Sequence, residues 1–546
     1  MRVYPQWLDD MGVMAKSPDM GGQTLVQHTL EVIERLVDQR RLHLAWNDDL
    51  FWARMFWGCL LHDFGKAADG FQDVLRGKKG LWSQEKHRHE VLSLGFVDWL
   101  FPKGHPDRPF IIGVIIAHHK DAERIDFMYG GIKQKKDLCD DDRELYDERY
   151  AFLADQIPAD VKHGLWRWLA ECGTAWADEL GFLGVSPTLM PHDEAVSQSV
   201  GDNIYKALRD FFRWRDKLPA DDKIHTMLYR GAILASDHSA SAGVGMFPDM
   251  KLTSEIAQKP LTGRKLYHHQ TEMQTAPRGH AIMIAPTGSG KTEAAILWAT
   301  KQIHHRPASR LFYTLPYQAS MNAMANRLAE KYFEMQFGAD DNDQVTIQHS
   351  RSTLKFYQDA MDGDEQKDAQ KSSFHARSIK NRAQLNFYPI QVFSPYQMLK
   401  ATYGIKGYEA LLLDYTDALF IFDEIHAYDP KRLALVISYI GYLATYFRAR
   451  FLIMTATLPP LIENALRDVL PDVTKIRADQ TVFDQSKRHI VQFIEGDISA
   501  QTERMIALYR EGKSVLVVCN QVKTAQLMYE QFKHHPEFSP LTSTGG

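Results

Sequence analysis

A chain of 546 residues is too long for one hydrophobic core, and its 45% hydrophobic and 24% charged residues describe globular domains with no apolar run long enough to span a bilayer. The 64 Lys and Arg against 69 Asp and Glu leave a net charge of −5, which excludes coating of nucleic acid by a general basic excess but not a local grip in a channel. The start, Met1 to Trp7, lacks a signal-peptide core, and Cys59, Cys139, Cys172 and Cys519 have no C-x-x-C spacing, so a reduced, cytoplasmic protein without a disulfide framework or thiolate zinc site is expected.

Residues 24–120 read as helical. Leu25, Val26, Thr29, Leu30, Ile33 and Leu36 recur at helical spacing, and Phe51, Met55, Cys59 and His62 share a face. The charged stretch Lys133 to Arg149 predicts a solvated loop or an exposed helix. Helical patterns resume at Leu165–Leu169, Ile204–Trp214 and Tyr229–Ser239. Gly243, Gly245, Pro248, Pro260 and Gly263 punctuate a boundary between Ser241 and Arg264. After it, short apolar runs alternate with helical segments: Ala281–Ala285, Leu311–Leu315, Ile390–Phe393, Ala418–Phe422, Phe451–Met454 and Ser514–Cys519. Such runs belong to a parallel sheet buried on both faces. The expected organisation is an all-α domain over 1–250, an α/β parallel-sheet domain over 251–488, and the incomplete start of a further α/β domain over 489–546.

The run Ala281–Ala285 leads into Pro286-Thr-Gly-Ser-Gly-Lys-Thr292, and a strong helical pattern follows. This is the strand–loop–helix setting of a phosphate-binding loop. Thr287, Gly288, Ser289 and Gly290 bring backbone amides to phosphates, and the helix N-terminus adds its dipole. Lys291 neutralises phosphate charge, and Thr292 offers a hydroxyl to Mg²⁺. The run Ala418–Phe422 ends in Asp423-Glu424, at the sheet's carboxyl edge where open α/β sheets bind ligands. Asp423 is expected to hold Mg²⁺ and Glu424 to polarise the attacking water of ATP hydrolysis. His426 is expected to couple this site to the next domain.

The order Gln270, phosphate loop, Leu315-Pro316, Asp423-Glu-Ile-His426, Thr455-Ala-Thr457 resembles a superfamily 2 helicase. The resemblance implies RecA-like α/β domains, adenine contact by Gln270, nucleic-acid contact by a loop around Pro316 to Arg327, and coupling of hydrolysis to movement by Thr455–Thr457.

In the first half, His62-Asp-Phe-Gly-Lys66 resembles the signature of HD-superfamily phosphohydrolases. A histidine with an adjacent aspartate can bind one metal and bridge to a second. Imidazoles with a carboxylate suit Fe, Mn, Co, Ni or Zn better than Ca, and paired metals stabilise the attacking and leaving oxygens of a phosphodiester. Lys66 can approach a phosphate.

His28, His62-Asp63, Arg88-His-Glu90 and His118-His119, ahead of a helicase, resemble the helicase-nuclease of type I CRISPR systems. That resemblance implies an HD-type nuclease domain over 1–250 with His28, His62, Asp63, His89, His118, His119 and Asp237 as metal ligands. His87 is the alternative to His89, and Ser236 accompanies Asp237. Asp63, Lys66 and Glu424 are the candidate catalytic groups. The implied cofactors are two divalent transition metals (Fe, Mn, Co or Ni) in the HD site, with ATP and Mg²⁺ in the helicase site. The implied partners are single-stranded DNA, a Cascade-like RNA-guided surveillance complex and an inhibitory protein, with no membrane.

Near His489 the second motor lobe is expected to begin, with Ile490–Phe493 and Ser514–Cys519 as its first strands. The sequence stops at Gly546, before the arginine-bearing motif that completes such an ATP site. A shortened version of a longer protein, impaired in processive unwinding, is therefore expected. Competing readings are a phosphohydrolase of nucleotides and a non-catalytic recruitment module.

Overall fold

The computed structural model describes residues 3–18, 21–43, 46, 48–119, 122–130, 140–305, 309–339, 341–348, 382, 385–405, 407–487 and 491–533. The chain divides into two compact units, Met1–Ser486 and Lys487–Gly546.

The first unit opens with helices. Those that build the site are α1 (Leu25–Leu42), α2 (Asp49–Leu61), α3 (His89–Ser93), α4 (Arg108–Ala117), α5 (Val200–Lys217) and α6 (Ala220–Ser241). Thr24 starts α1 with a capping box: its hydroxyl accepts from Gln27 N, and the Gln27 amide oxygen accepts from Thr24 N. Asp48 caps α2 by accepting from Phe51 N at 2.9 Å. α2 is buried on nearly every side, from Phe51 to Leu61, and α4 buries Ile111, Ile112, Val114, Ile115 and Ile116. Helices that are apolar all round run through a core. These two pack together and deliver His62-Asp63 and His118-His119 at their C-terminal ends, inside the protein. The charged stretch from Lys133 is a helix, Asp140–Ala154, where it is described; Lys133 to Cys139 lies outside the described residues.

The boundary segment Ser241 to Arg264 holds the short helix Ser254–Gln258 and then passes into a parallel sheet. Its strands are β1 (Ala281–Ile284), β2 (Leu311–Thr314), β3 (Val345–Gln348), β4 (Ile390–Phe393), β5 (Leu419–Asp423), β6 (Arg450–Thr455) and β7 (Thr474–Arg477), in the order β3-β4-β2-β5-β6-β1-β7. β3 and β7, at the two edges, were not apparent from the sequence. Thr474-Lys-Ile-Arg477 carries only one buried residue, Ile476, so it lacks the apolar run that marks an interior strand. Around the sheet lie α7 (His268–Thr275), α8 (Lys291–His305), α9 (Gln318–Phe333), α10 (Tyr408–Tyr415) and α11 (Pro430–Phe447).

Side chains alternate across the pleat. Ile282, Ile284, Phe420, Phe422, Phe451 and Ile453 join the apolar core that continues into the helical region. Ala281, Met283, Leu419, Ile421, Leu452 and Met454 face a second core under α8 and α9. The helical region and one sheet face thus share a continuous core.

The second unit contains α12 (Thr502–Arg510) and α13 (Val522–Lys533). The expected strand Ser514–Cys519 does not form, nor does one form over 491–493; residues 488–490 lie outside the described residues. The apolar pattern is there, but Phe493 is 98% and Leu516 86% exposed. A parallel strand is made by hydrogen bonds to neighbours, and no described residue offers one. Among the described residues no helix is long and apolar enough to cross a membrane.

Candidate metal centre and nucleotide site

Helices α1, α2, α3, α4 and α6 converge on one buried carboxylate. Asp63 Oδ2 lies 3.3 Å from His28 Nε2 and 3.2 Å from His62 Nε2, while Oδ1 lies 3.3 Å from His89 Nε2 and 3.6 Å from His118 Nε2. Two ligand groups result. In one, His28, His62 and Asp237 place donor atoms within 4.8 Å of one another; in the other, His89, His118 and His119 do so. Asp63 stands between them and offers one oxygen to each.

The imidazoles are preset. His62 Nδ1 donates to Cys59 O and His118 Nδ1 to Ile115 O, both at 2.6 Å. Each bond is to the carbonyl three residues back, at a helix end where carbonyls lack intrahelical partners. It leaves Nε2 of both rings turned toward Asp63. A ring held this way by a backbone carbonyl is what a metal-ligating histidine needs.

The electrostatics divide the ligands: burial pushes His28 and His118 down, but the carboxylates Asp63 and Asp237 outweigh it and raise both. Burial pushes the Asp63 carboxyl up, yet His62, Lys66 and the contacts of His118 and His28 outweigh it and hold the group well below the usual carboxylate range. Burial likewise pushes Asp237 up, and His28, His62 and His118 bring it down. Burial pushes His89 down, and burial with His118 and His89 pushes His119 down, so both rings stay neutral lone-pair donors. His28 Nε2, His62 Nε2 and Asp63 Oδ1 are buried without a well-directed hydrogen bond, and Asp63 Oδ2 has the ammonium of Lys66 beside it. Orphaned polar atoms at this density are costly in a packed interior. The donor set and its orphaned atoms fit a pair of divalent transition-metal ions.

Lys66 Nζ sits 2.7 Å from Asp63 Oδ2. His87 points elsewhere: it stacks on Phe152 at 4.4 Å and meets Glu85 at 3.1 Å. The geometry therefore brings His89, and not His87, to Asp63. Ser236 is buried beside Asp237 and contributes no atom to either group.

The sequence did not single out the residues that hold this cluster together. Ser93 Oγ accepts from Gly65 N at 2.8 Å and contacts His62 O and His89 O, tying the His62-Asp63 turn to α3. Gly65 is packed so tightly on α3 that a Cβ there would lie 2.0 Å from His89 O. Glu90, fully buried, lies 3.8 Å from His89 Nδ1.

At the sheet's carboxyl edge the phosphate loop turns through Gly288 (φ +84°) and Gly290 (φ +77°), a left-handed backbone that glycine adopts freely. Thr287 is exposed, and the Ser289 hydroxyl donates to Pro286 O at 2.8 Å. Lys291 Nζ meets Glu424 Oε1 at 3.0 Å. Gln270 donates to Gly290 O at 3.2 Å and accepts from Tyr267 N at 3.0 Å, so its amide braces the loop. His269, from the same helix, donates to Ser289 O at 3.0 Å. Asp423 Oδ2 accepts from Tyr313, a buried β2 residue, at 2.9 Å. Burial raises the Asp423 carboxyl above its ordinary value, against the pull of Lys291. Thr292 is buried at the same edge. His426 Nδ1 and Thr455 Oγ1 are 2.7 Å apart, and Thr455 donates onward to Thr457 O. His426 thus joins the Asp-Glu strand to the Thr-Ala-Thr turn. One expectation needs correction. Gln318 to Arg327 is helical rather than a loop, and Arg327 is turned inward to pair with Glu293.

Comparison with known proteins follows the same division. Residues 16–179 match the family "Cas3, HD domain", and residues 267–465 match "DEAD/DEAH box helicase". The chain is 24% identical over 590 aligned residues to a CRISPR-associated nuclease/helicase Cas3 from Methanothermobacter thermautotrophicus, covering 97% of this chain and 65% of that protein. The chain is similar to Cas3 proteins over both its helical region and its sheet region. A Cas3 from Escherichia coli K12, described as an endonuclease/helicase, is 25% identical over 47% of this chain and 32% of its own length. The crystal structure of T. fusca Cas3 shares the fold, with a TM-score of 0.56 at 18% identity, covering 96% of this chain and 63% of that one. This chain spans just under two thirds of the length of the Methanothermobacter thermautotrophicus and T. fusca proteins. The Cas3 HD match includes His28 through His119, and Asp237 lies beyond it.

Proposed function

We propose that this chain carries the metal-dependent nuclease and the first motor lobe of an enzyme that cleaves single-stranded DNA and moves on it by ATP hydrolysis, in type I CRISPR interference. The observation that carries the reading is Asp63, one buried carboxylate with an oxygen toward each of two histidine groups. His28, His62 and Asp237 would hold one ion, His89, His118 and His119 the other, with Asp63 shared. Bound there, two divalent transition metals (Fe, Mn, Co or Ni) supply an activated water and Lewis acidity for a phosphodiester. The residues do the rest. Asp63 stays ionised, His62 and His118 keep Nε2 turned inward through their carbonyl bonds, and Lys66 presents an ammonium to an incoming phosphate.

In the motor lobe, Gly288, Gly290 and the start of α8 cradle phosphates, and Lys291 exchanges Glu424 for a phosphate oxygen. Thr292 and Asp423 offer oxygens to Mg²⁺, Glu424 orients water, and Gln270 reads adenine. The exposed rings of Tyr317 and Tyr396, just beyond β2 and β4, are surfaces on which unpaired bases can stack. The DNA is marked for this enzyme by a Cascade-like RNA-guided complex.

The test is cleavage of circular single-stranded DNA with Mn²⁺, for the full chain and for Asp63→Ala. The wild type should cut the circle and leave nucleoside phosphates intact, and Asp63→Ala should lose both cleavage and bound Mn²⁺. Undiminished cutting by Asp63→Ala removes the nuclease assignment. Preferential hydrolysis of nucleoside phosphates moves the enzyme to another substrate class.

A further inference from the structure

Helix α6 carries Asp237, and two helical turns earlier, at Arg230, it makes a three-way junction. Positions seven residues apart lie on nearly the same helix face, about 10 Å apart along the axis. Arg230 Nε donates to Ala117 O at 3.1 Å, and Nη1 pairs with Glu409 Oε1 at 2.6 Å. Ala117 is the last residue of α4, immediately before His118-His119. Its carbonyl is among those that a helix end leaves without an intrahelical donor, and a guanidinium is the favoured partner for it. Glu409 lies near the start of α10, whose end leads through Thr416 to Ala418 into β5 and Asp423. Its carboxylate is 3% exposed. One residue on, Gly231 lets the α6 backbone sit so close to α10 that a Cβ would lie 2.3 Å from Glu409 O.

A single guanidinium therefore touches the segment bearing two ligands of one group, rides on the helix bearing a ligand of the other, and is anchored by the motor lobe. We infer that Arg230 is a positioning residue of the nuclease, setting His118-His119 against Asp237, and that Glu409 makes this setting depend on the motor lobe. The inference rests on the metal-centre reading above. Arg230 contributes no atom to either ligand group and reaches them through Ala117 and Glu409. Its planar fork serves both acceptors at once, which a lysine ammonium at the same position does poorly.

The experiment uses the full chain with Mn²⁺ as the metal probe. Mn²⁺ affinity is measured by calorimetry, circular single-strand cleavage as kcat and KM, nucleotide-analogue binding as a check on the motor lobe, and Tm as a check on folding. Removing partners that hold metal ligands in place costs about 10–100-fold in affinity or activity. Arg230→Gln should weaken Mn²⁺ binding and lower kcat by about tenfold or more, with KM and nucleotide binding unchanged, and Arg230→Lys should recover part of the loss. Glu409→Gln keeps the Ala117 bond, so it should give a smaller loss in the same direction. Wild-type Mn²⁺ affinity and kcat in Arg230→Gln would overturn the inference. An impaired Arg230→Gln beside an unaffected Glu409→Gln would overturn its motor-lobe half. If Arg230→Gln fails to fold, Arg230→Lys and Glu409→Gln decide it, and wild-type behaviour of both overturns it. Asp63→Ala separates the levels. If it cleaves normally, the nuclease reading has failed; if it is dead while the Arg230 variants are normal, only this inference has.

Discussion

Replacing Gly65 with alanine adds one methyl group in the tightest place near the metal centre. The new Cβ would lie 2.0 Å from His89 O, 2.9 Å from the His89 carbonyl carbon and 2.9 Å from Ser93 N. All are backbone atoms, so no rotamer change relieves the overlap. Because real Cβ contacts essentially never fall below 3.0 Å, the His62-Asp63 turn and α3 must separate by about 1 Å. Overpacking of this kind costs roughly 1–3 kcal/mol of stability.

The larger effect should be on the site. Gly65 lies two residues from Asp63, and α3 begins with His89, so the separation falls on the 3.3 Å contact between Asp63 Oδ1 and His89 Nε2. A displacement of about 1 Å in a reacting constellation can cost about a hundredfold in rate. Gly65→Ala should thus stay folded with a lowered Tm, bind Mn²⁺ more weakly, and cut circular single-stranded DNA about a hundredfold more slowly. Calorimetric Mn²⁺ titration beside a gel-based cleavage series measures both. Metal affinity and cleavage within twofold of wild type, in a variant shown to be folded, would refute the claim that this contact sets the site.

Further outcomes follow from other contacts. His89→Ala should lose Mn²⁺ from its group and abolish cleavage, whereas His87→Ala, which removes a ring stacked on Phe152, should keep both; equal losses in a metal titration would reverse that assignment. Tyr313→Phe deletes the donor to Asp423 and leaves a buried carboxylate oxygen short of a partner, so Mg²⁺-nucleotide binding should weaken several-fold in a fluorescent-analogue titration, about 1 kcal/mol or more. Burial, with Arg310 and Arg448 nearby, pushes His43 down to about 3 from its ordinary value. The unfolded chain then takes up the proton first. The neutral ring's contribution is present above pH 6.5 and is lost as pH falls, reaching about 2 kcal/mol at pH 5. His43→Leu should flatten the fall in urea midpoint between pH 7.5 and 5, and an unchanged slope would show that the ring protonates in place.

The architecture was legible wherever a segment carries its own period. The helices of the first region and five interior strands announce themselves by apolar spacing, because burial on one or both faces leaves a pattern in the residues. The edge strand β7 does not: it buries Ile476 alone. The run Ser514–Cys519 shows the reverse failure, since it has the composition of a strand but no described neighbour to pair with. Periodicity reports what a segment can bury, while a strand also needs a partner that the pattern cannot supply.

The site divides along a similar line. Side chains that gather around Asp63 or beside the glycine-rich loop were visible as chemistry: His28, His62, Asp63, His89, His118 and His119 by their motifs, and Lys291, Asp423 and Glu424 by position after strands. The groups that hold them were not, because much of their work is done on backbone atoms. Gly65 acts through a missing Cβ, Ser93 through His62 O and His89 O, His269 through Ser289 O, and Arg230 through Ala117 O. Backbone acceptors are the same for every residue type, so such a partner leaves no signature at the position it contacts. The one clue was compositional. A glycine directly after His62-Asp63-Phe64, at a buried turn where φ is not positive, has no conformational reason to be there and is explained only by the close approach of another chain segment.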